Sequence, residues 1–263
     1  MGILNVTPDS FFSNSRTSKR DEIFQHVSRM IDEGVDIIDI GGCSTRPGFN
    51  APSVEEEMRR VDLGCQVVRE ISREIPISVD TFRAAVAKVA IEKWNIDIIN
   101  DISGGSDSEM FETVAKNRAI YVLTHNSPKD GEIDVTTRVI VDLAKKINEL
   151  HRLGVNDVII DPGFGFEKSL EENYLLFDEL EELAKMGYPI LVGVSRKSMI
   201  YKTLGYGPEN ALVGSVALNM LALEKGTNIL RVHDVKEAKE IVKIYMKLKN
   251  PFEKSDLYKN EGF

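Results

Sequence analysis

Short apolar runs alternate along the chain with longer segments that have the periodicity of amphipathic helices. The clearest run is Val158-Ile159-Ile160, which ends in Asp161 and is followed at once by Pro162 and Gly163. A β-branched run that stops at turn residues is typical of a parallel strand buried on both faces. The pattern predicts such a strand and places Asp161 at its C-terminal end.

Seven other apolar segments end in the same way, with polar or glycine residues at their C-terminal ends: Asn5, Gly41-Gly42, Asp80, Asn100, His125, Ser195, and Arg231 with His233. The predicted strands are 2–7, 35–40, 75–81, 96–102, 119–124, 158–161, 189–195 and 228–232. Predicted helices include 19–33, 53–74, 134–153, 168–186, 207–225 and 235–249. Strict alternation of strand and helix predicts an α/β protein, a (β/α)8 TIM barrel with its active site at the C-terminal rim of the strands.

Length and charge narrow the possible functions. The 263 residues match the ~250 of such a barrel, so one domain over residues 1–263 is expected. The net charge of −9 argues against nucleic acid or an anionic membrane as a partner. There is no apolar run of membrane-spanning length, and the two cysteines, Cys43 and Cys65, lack metal or disulfide spacing. We expect reduced thiols and a cytoplasmic protein.

Two loops carry candidate chemistry. Residues 41–48 combine two glycines, hydroxyl side chains and Arg46, a composition suited to a phosphate group, although a surface turn with one arginine is commoner. Residues 8–15 are polar and contain Phe11 and Phe12, which either pack on the surface or close over a ring. Arg196 and Lys197 follow the seventh strand, on the same rim as Asp161. His125 is expected to be a structural residue.

These motifs together resemble those of the dihydropteroate synthases. The matching segments are 2–11, 41–48, 79–81, 161–166, 195–197 and 231–234, in the order of that family and over essentially the whole chain. The resemblance implies that the protein condenses 6-hydroxymethyl-7,8-dihydropterin diphosphate with 4-aminobenzoate, giving 7,8-dihydropteroate and pyrophosphate in folate biosynthesis. It also implies Mg²⁺ as cofactor, inhibition by sulfonamides that mimic 4-aminobenzoate, and a homodimer.

The resemblance assigns roles to individual positions. The pterin ring is held by Asp80, Asn100, Asp161 and Lys197. The diphosphate end is held by Asn5, Thr45, Arg46, Arg231 and His233, with Asn5 as the protein ligand of Mg²⁺. The surroundings of 4-aminobenzoate are Phe11, Thr45, Pro47, Phe166 and Ser195. Asn5, Arg46, Lys197, Arg231 and His233 are the expected catalytic residues.

The chain departs from the family pattern at Ser13 to Ser15, at Asn126 and at Glu167. None of these departures removes a residue assigned to the pterin or the metal, so activity is expected, while closure of the first loop and the aminobenzoate pocket are placed in doubt. Two alternatives remain open. One is a pterin-binding methyltransferase, which would have no use for the anion-binding residues. The other is a pterin-binding protein with impaired catalysis.

Overall fold

A computed structural model describes residues 1–7, 16–43, 51–128 and 132–251, and its strands alternate with helices as the sequence pattern predicts. The strands are β1 Gly2–Asn5, β2 Ile38–Gly41, β3 Ile77–Asp80, β4 Ile98–Asp101, β5 Ile120–Thr124, β6 Val158–Asp161, β7 Leu191–Val192 and β8 Ile229–Leu230. The helices are α1 Arg16–Asp32, α2 Val54–Ile71, α3 Ala84–Trp94, α4 Met110–Asn117, α5 Val135–Arg152, α6 Leu170–Asp178, α7 Leu180–Ala184, α8 Ser198–Leu204, α9 Leu212–Glu224 and α10 Val235–Lys249.

All strand pairings are parallel and follow chain order. Continuous ladders join β1 through β6, and a separate ladder joins β7 to β8. Single parallel bridges span the two gaps, Ile160 to Ile190 and Gly2 to Val232, and the Ile3 amide donates to the Val232 carbonyl at 2.9 Å. The predicted (β/α)8 architecture is confirmed, with two places at which the barrel is not closed by a ladder.

The core has two layers because strand side chains alternate between the faces of the sheet. A large cluster fills the space between strands and helices and includes Leu4, Ile40 and Ile160. A small separate cluster, with Ile98 and Ile159 among its members, lies on the inner face of the barrel. Along a strand, every second side chain points to the same face of the sheet. A residue two positions after a member of this inner cluster therefore also faces the inside of the barrel, nearer its C-terminal opening.

The structure corrects several predicted boundaries. Strands β7 and β8 contain two residues each, not the seven and five predicted. The helix predicted over 168–186 is divided because Glu179, with φ −96° and ψ 18°, leaves helical geometry, and the break lets Leu180 and Leu183 of α7 bury. The helix predicted over 207–225 begins only at α9, after a 3₁₀ turn at Pro208–Asn210. Helix α8 was not predicted.

Local signals explain where the helices begin. Ser53 caps α2, accepting a hydrogen bond from the Glu56 amide at 3.2 Å, as its position before three acids predicts. Ser169 and Glu172 form a reciprocal capping box at the start of α6. This box fixes the first turn of α6.

Within the part of the chain that the structure describes, no helix combines the length and the apolar character needed to cross a membrane.

Candidate active site

Three predicted pterin residues stand at the C-terminal ends of strands in the same parallel sheet. Asp80 ends β3, Asn100 lies in β4 and Asp161 ends β6. Asp80 pairs in register with Asn100 across the β3–β4 ladder. All three side chains are buried, at 8%, 1% and 7% exposure. The geometry thus gathers two acids and an amide inside the mouth of the barrel, where a flat polar ring could meet all of them.

Arg231 links the acids of this cluster. Its Nη2 donates to Asp80 Oδ2 at 2.6 Å, and its Nε donates to Asp39 Oδ2 at 2.7 Å. Burial raises the pKa of Asp80 to about 7, because desolvation outweighs the stabilising charge of Arg231. The two acids outweigh the effect of burial on Arg231 and raise its pKa, so its guanidinium stays charged.

Asp161 and Lys197 lie near enough to each other for each charge to influence the pKa of the other group. Asp161 Oδ1 accepts the Gly163 amide at 2.7 Å, and burial raises the pKa of this carboxyl, opposed by Lys197. The Lys197 ammonium donates to the Phe164 carbonyl and lies 4.8 Å from the centre of the Phe166 ring. Burial lowers the pKa of Lys197 to about 8, although Asp161 favours its charged form. The lysine is therefore placed beside an acid, a carbonyl and an aromatic face.

The loop between β6 and α6 takes an unusual backbone path. Gly163, Gly165 and Glu167 all have positive φ, at 71°, 84° and 45°. A Cβ on Gly163 would lie 2.0 Å from the His125 carbonyl oxygen, so only glycine fits there. The Gly165 amide donates to Asn173 Oδ1 at 2.7 Å. This path brings the Phe164 carbonyl and the Phe166 ring next to Lys197.

Lys168 connects the same loop to the end of β5 through hydrogen bonds of its ammonium group. Its Nζ donates to the carbonyls of Gly163 and Phe166 at 3.0 and 3.1 Å, and contacts His125 Nδ1 at 3.0 Å. His125 Nε2 lies 3.2 Å from Asp142 Oδ2. Because Lys168 can only donate, we assign the tautomer with hydrogen on Nε2. Burial lowers the pKa of His125 to about 4, so the ring is neutral and, as expected, structural.

His233 and Ser195 meet just beyond the ends of β8 and β7. The His233 amide donates to Ser195 Oγ at 3.3 Å, and the imidazole Nδ1 lies 3.2 Å from the same oxygen. Arg196 differs from the expectation of a rim cation available to a ligand. Its guanidinium forms a bidentate ion pair with Asp234, with N–O distances of 2.9 and 2.8 Å, and donates a hydrogen bond to the Glu209 carbonyl at 2.8 Å. Arg196 therefore ties the loops that follow β7 and β8 together.

Asn5 is half-buried at the end of β1, beside Gly41 of β2. A Cβ on Gly41 would lie 3.2 Å from Asn5 Oδ1 and 4.0 Å from Asp80 Oδ2, so two side-chain oxygens converge over this glycine. Within the described residues, no group of three or more His, Cys, Asp or Glu side chains could hold a metal by itself. One amide oxygen supplemented by phosphate oxygens and water suits Mg²⁺, which often uses few protein ligands. The residues present fit that ion.

Several predicted residues cannot be placed. Phe11, Thr45, Arg46 and Pro47, together with Ser13 to Ser15, lie outside the described residues. The other two departures from the family pattern can be located. Asn126 donates through Nδ2 to the Ile102 carbonyl at 2.9 Å, and Glu167 occupies a left-handed backbone position that favours a smaller residue.

Three residues near the site were missed by the sequence analysis: Asp39, Lys168 and Asn173. Asp39 had a recognisable signal, because it is an acid between two isoleucines of a buried strand, two positions before Gly41 on the same face. Lys168 and Asn173 carried no such signal. Their roles arise from contacts with loop carbonyls and amides that no sequence pattern specifies.

A cavity of about 510 Å³ lies at the other end of the barrel, near the start of β1 and helix α10. Its lining is mainly apolar, and its charged residues, Asp36 and Lys239, pair with each other at 2.8 Å. It lacks the convergent polar groups expected of a catalytic site. The chemistry therefore belongs to the C-terminal rim.

Comparison with known proteins agrees with this location. The model of the family described as pterin binding enzyme matches residues 1–233. A dihydropteroate synthase of Bacillus subtilis is 41% identical over 249 residues, covering 93% of this chain and 86% of that protein. A crystal structure of dihydropteroate synthase from Clostridium difficile in the presence of pteroic acid has a TM-score of 0.90 at 36% identity, covering 94% and 95% of the two chains.

The dihydropteroate synthase of Xanthomonas albilineans, solved with 4-aminobenzoic acid, is similar too, with a TM-score of 0.88 and 37% identity over 94% of this chain and 92% of that one. The fold defines a parallel α/β barrel with a polar site at its C-terminal rim. The chain belongs to the pterin-binding enzyme family, among the dihydropteroate synthases. The predicted family and fold are confirmed.

Proposed function

We propose that this enzyme joins 6-hydroxymethyl-7,8-dihydropterin diphosphate to 4-aminobenzoate, forming 7,8-dihydropteroate and releasing pyrophosphate. The observation that carries the proposal is the cluster of Asp80, Asn100, Asp161, Lys197 and Arg231 inside the rim, which offers acceptors and cations within one buried site. The relatives named dihydropteroate synthase support the same reaction. They do not favour the methyltransferase alternative.

The pterin ring would bind through its donor edge to the Asp161 carboxylate. A carboxylate accepts two parallel hydrogen bonds, and the ring N–H and exocyclic amine provide them. Lys197 would donate to the ring oxo group and a ring nitrogen. Asp80 and Asn100 would accept from other donors of the ring. Since Asp161 is buried and Lys197 is adjacent, these bonds form where water competes little.

The chemical step breaks the bond between the pterin methylene carbon and the diphosphate oxygen, and forms a bond from that carbon to the arylamine nitrogen. The nitrogen then loses one proton to water, which gives the secondary amine of the product. The arylamine is neutral at pH 7 and needs no strong base, so the residues mainly stabilise the departing diphosphate. Arg231 and His233, with Arg46, would donate to its oxygens. We favour a dissociative transition state, in which the acids and carbonyls at the ring stabilise positive charge on the pterin.

We propose Mg²⁺ as the cofactor, held by Asn5 Oδ1 and by oxygens of the diphosphate. When bound, the ion would neutralise charge on the leaving group. The support is the half-buried Asn5 amide beside Asp80 and the hard oxygen donors it would share with a diphosphate. Phe11, Thr45, Pro47, Phe166 and Ser195 are proposed to surround 4-aminobenzoate. Phe166 and Ser195 stand at the rim, beside Lys197 and His233.

A single assay tests the reaction. Pyrophosphate release from the pterin diphosphate is measured with and without 4-aminobenzoate and with and without Mg²⁺. Release that requires both supports the proposal. Methyl transfer from methyltetrahydrofolate without pyrophosphate release would establish the methyltransferase, and tight pterin binding without any turnover would establish an impaired enzyme.

We also propose that the chain forms one domain and works in the cytoplasm. One large core cluster includes residues from Leu4 to Ile241, which favours a single folding unit. Cys43 and Cys65 are both buried, and within the described residues neither takes part in a disulfide, as expected in a reducing compartment.

Finally, we propose that the enzyme is a homodimer that pairs through α9. Val213, Ala217 and Leu221 recur every four residues and form an exposed apolar face on that helix, with Val213 at 78% exposure. A helix that is apolar on all sides is normally covered. A second copy of the chain would cover this face on a two-fold axis.

A further inference from the structure

Asp39 is a fully buried acid to which the proposed mechanism gives no role. It lies in the middle of β2 with no solvent exposure. A single oxygen, Oδ2, accepts from Arg231 Nε at 2.7 Å and from Asn100 Nδ2 at 3.1 Å. A buried carboxylate is costly unless its partners compensate it, so its contacts point to a purpose at the site.

The first contact fixes the plane of Arg231. Asp39 binds Nε, while Asp80 binds Nη2 at 2.6 Å, so two neighbouring nitrogens of a rigid planar group are held by separate strands. Among the described residues, neither acid bonds to the third nitrogen, Nη1. That nitrogen remains for an anion at the rim, while the acids keep the guanidinium charged.

The second contact fixes the orientation of the Asn100 amide. Asn100 Nδ2 must face Asp39, because the reverse orientation would set the amide oxygen against a carboxylate oxygen. The Asn100 Oδ1 atom is consequently turned away from Asp39. It is buried and has no hydrogen-bond partner in the part of the chain that the structure describes, so it is a ready acceptor for a donor of the pterin ring.

We propose that Asp39 is a positioning residue, one of whose oxygens orients both the anion-binding Arg231 and the pterin-binding Asn100. The inference rests on the proposed roles of those two residues. It assigns to one buried acid the alignment of the two halves of the substrate, the ring and the diphosphate, with respect to each other.

The test uses Asp39→Asn, with Asp36→Asn as the matched control, because Asp36 precedes the same strand but pairs with Lys239 at the far end of the barrel. Calorimetry measures the affinity for Mg-pyrophosphate and, separately, for 6-hydroxymethyl-7,8-dihydropterin, which lacks the diphosphate. Asp39→Asn is expected to weaken both by about tenfold or more. Asp36→Asn is expected to change neither.

A double-variant cycle separates positioning from general damage. With Arg231→Met in the background, Asp39→Asn should no longer affect pyrophosphate binding but should still weaken dihydropterin binding through Asn100. Equal losses of pyrophosphate affinity in both backgrounds would overturn the inference. If Arg231→Met itself leaves pyrophosphate binding unchanged, the proposed role of Arg231 fails instead, which is a distinguishable result.

A measurement on the unmodified enzyme does not depend on the variants folding. The ¹⁵N resonance of the Arg231 Nε–H should show slow hydrogen exchange, both before and after Mg-pyrophosphate is added, because Asp39 retains this hydrogen. Fast exchange in either state would show that Asp39 does not hold the arginine, and would refute the proposal.

Discussion

The Asp161 carboxylate illustrates how a single side chain can be set for one ligand edge. It is buried, it accepts one backbone amide from Gly163, and its neighbour Lys197 supplies a compensating charge. Its remaining acceptor capacity matches the donor edge of the pterin in the proposed binding mode. At this scale, recognition depends on the match of donors to acceptors more than on shape.

Replacement of Asp161 by asparagine should remove pterin recognition while the protein still folds. The amide keeps one acceptor, which can serve the Gly163 amide, but it presents a donor to the donor edge of the ring. Loss of two hydrogen bonds to a charged acceptor, at ~1.5–3 kcal/mol each, predicts an affinity reduced by about 10² to 10⁴. Calorimetry with the pterin diphosphate measures it.

Asp157→Asn, an exposed position just before the same strand, is the control and should bind normally. Near-normal affinity of Asp161→Asn would show that the carboxylate does not contact the ring.

The lowered pKa of Lys197 predicts a loss of pterin affinity at alkaline pH. Because burial lowers its pKa to about 8, the ammonium is present below pH 8 and is lost as the pH rises above it. If the charged form binds the ring, affinity should fall above pH 8 by up to about tenfold for each pH unit. Titrating the dissociation constant of the pterin diphosphate from pH 6 to 10 tests this.

The guanidinium of Lys197→Arg does not titrate between pH 6 and 10. The pterin affinity of this variant should therefore not decline above pH 8, whatever its value at neutral pH. A wild-type affinity that stays constant to pH 10 would mean that the charge of Lys197 is not used.

At the scale of elements, the β6–α6 loop is held from both of its ends. Lys168 donates a hydrogen bond to the Gly163 carbonyl of the loop. Asn173 of α6 accepts a hydrogen bond from the Gly165 amide and donates one to the Ser169 carbonyl at 2.6 Å. The adjoining capping box holds the helix end. The loop in turn positions the Phe164 carbonyl and the Phe166 ring around Lys197. The helix thus supports the site without touching a ligand.

Two substitutions at this helix end should separate capping from loop support. Ser169→Ala removes the cap and Asn173→Ala leaves the Gly165 amide without its acceptor, and each should lower the free energy of unfolding by about 1–2 kcal/mol. Only Asn173→Ala should also raise the KM for the pterin diphosphate, because only it releases the loop. Denaturant unfolding and steady-state kinetics provide the two measurements, and equal KM changes would contradict this division.

At the scale of the whole molecule, the barrel separates the candidate active site from the proposed dimer interface. The C-terminal rim gathers charged and polar groups, whereas α9 presents the apolar face at Val213, Ala217 and Leu221. The strand ends supply the first surface and a return helix supplies the second. Substitutions at the proposed interface are therefore expected to leave the candidate active site unchanged.

Val213→Lys should convert the proposed dimer to a monomer, because it places a charge in the centre of an apolar contact. The matched control is Val141→Lys, on α5, where the valine is 58% exposed and lies outside the proposed interface. Sedimentation velocity at micromolar concentration should give half the wild-type mass for the first variant alone. A monomeric wild-type protein would refute the dimer.

The sequence by itself determined the order of the strands, most of the helices between them, and the placement of Asp80, Asn100 and Asp161 at strand ends. These features are local. Apolar runs, turn residues and the two-residue period of a strand are properties of neighbouring positions, and parallel strands necessarily bring their C-terminal ends together. Boundaries such as Glu179 escaped the pattern, because the burial of Leu180 and Leu183 depends on surfaces elsewhere in the chain.

Only the tertiary structure decided how the rim residues are paired and charged. Asp39 and Arg231 are 192 positions apart, yet one hydrogen bond joins them. Lys168 contacts His125, which is 43 positions away in the sequence, and Arg196 forms an ion pair with Asp234. Lysine pKa values near 8 arise from the loss of water around these groups. Desolvation and long-range pairing depend on the assembled barrel, and no stretch of sequence contains them.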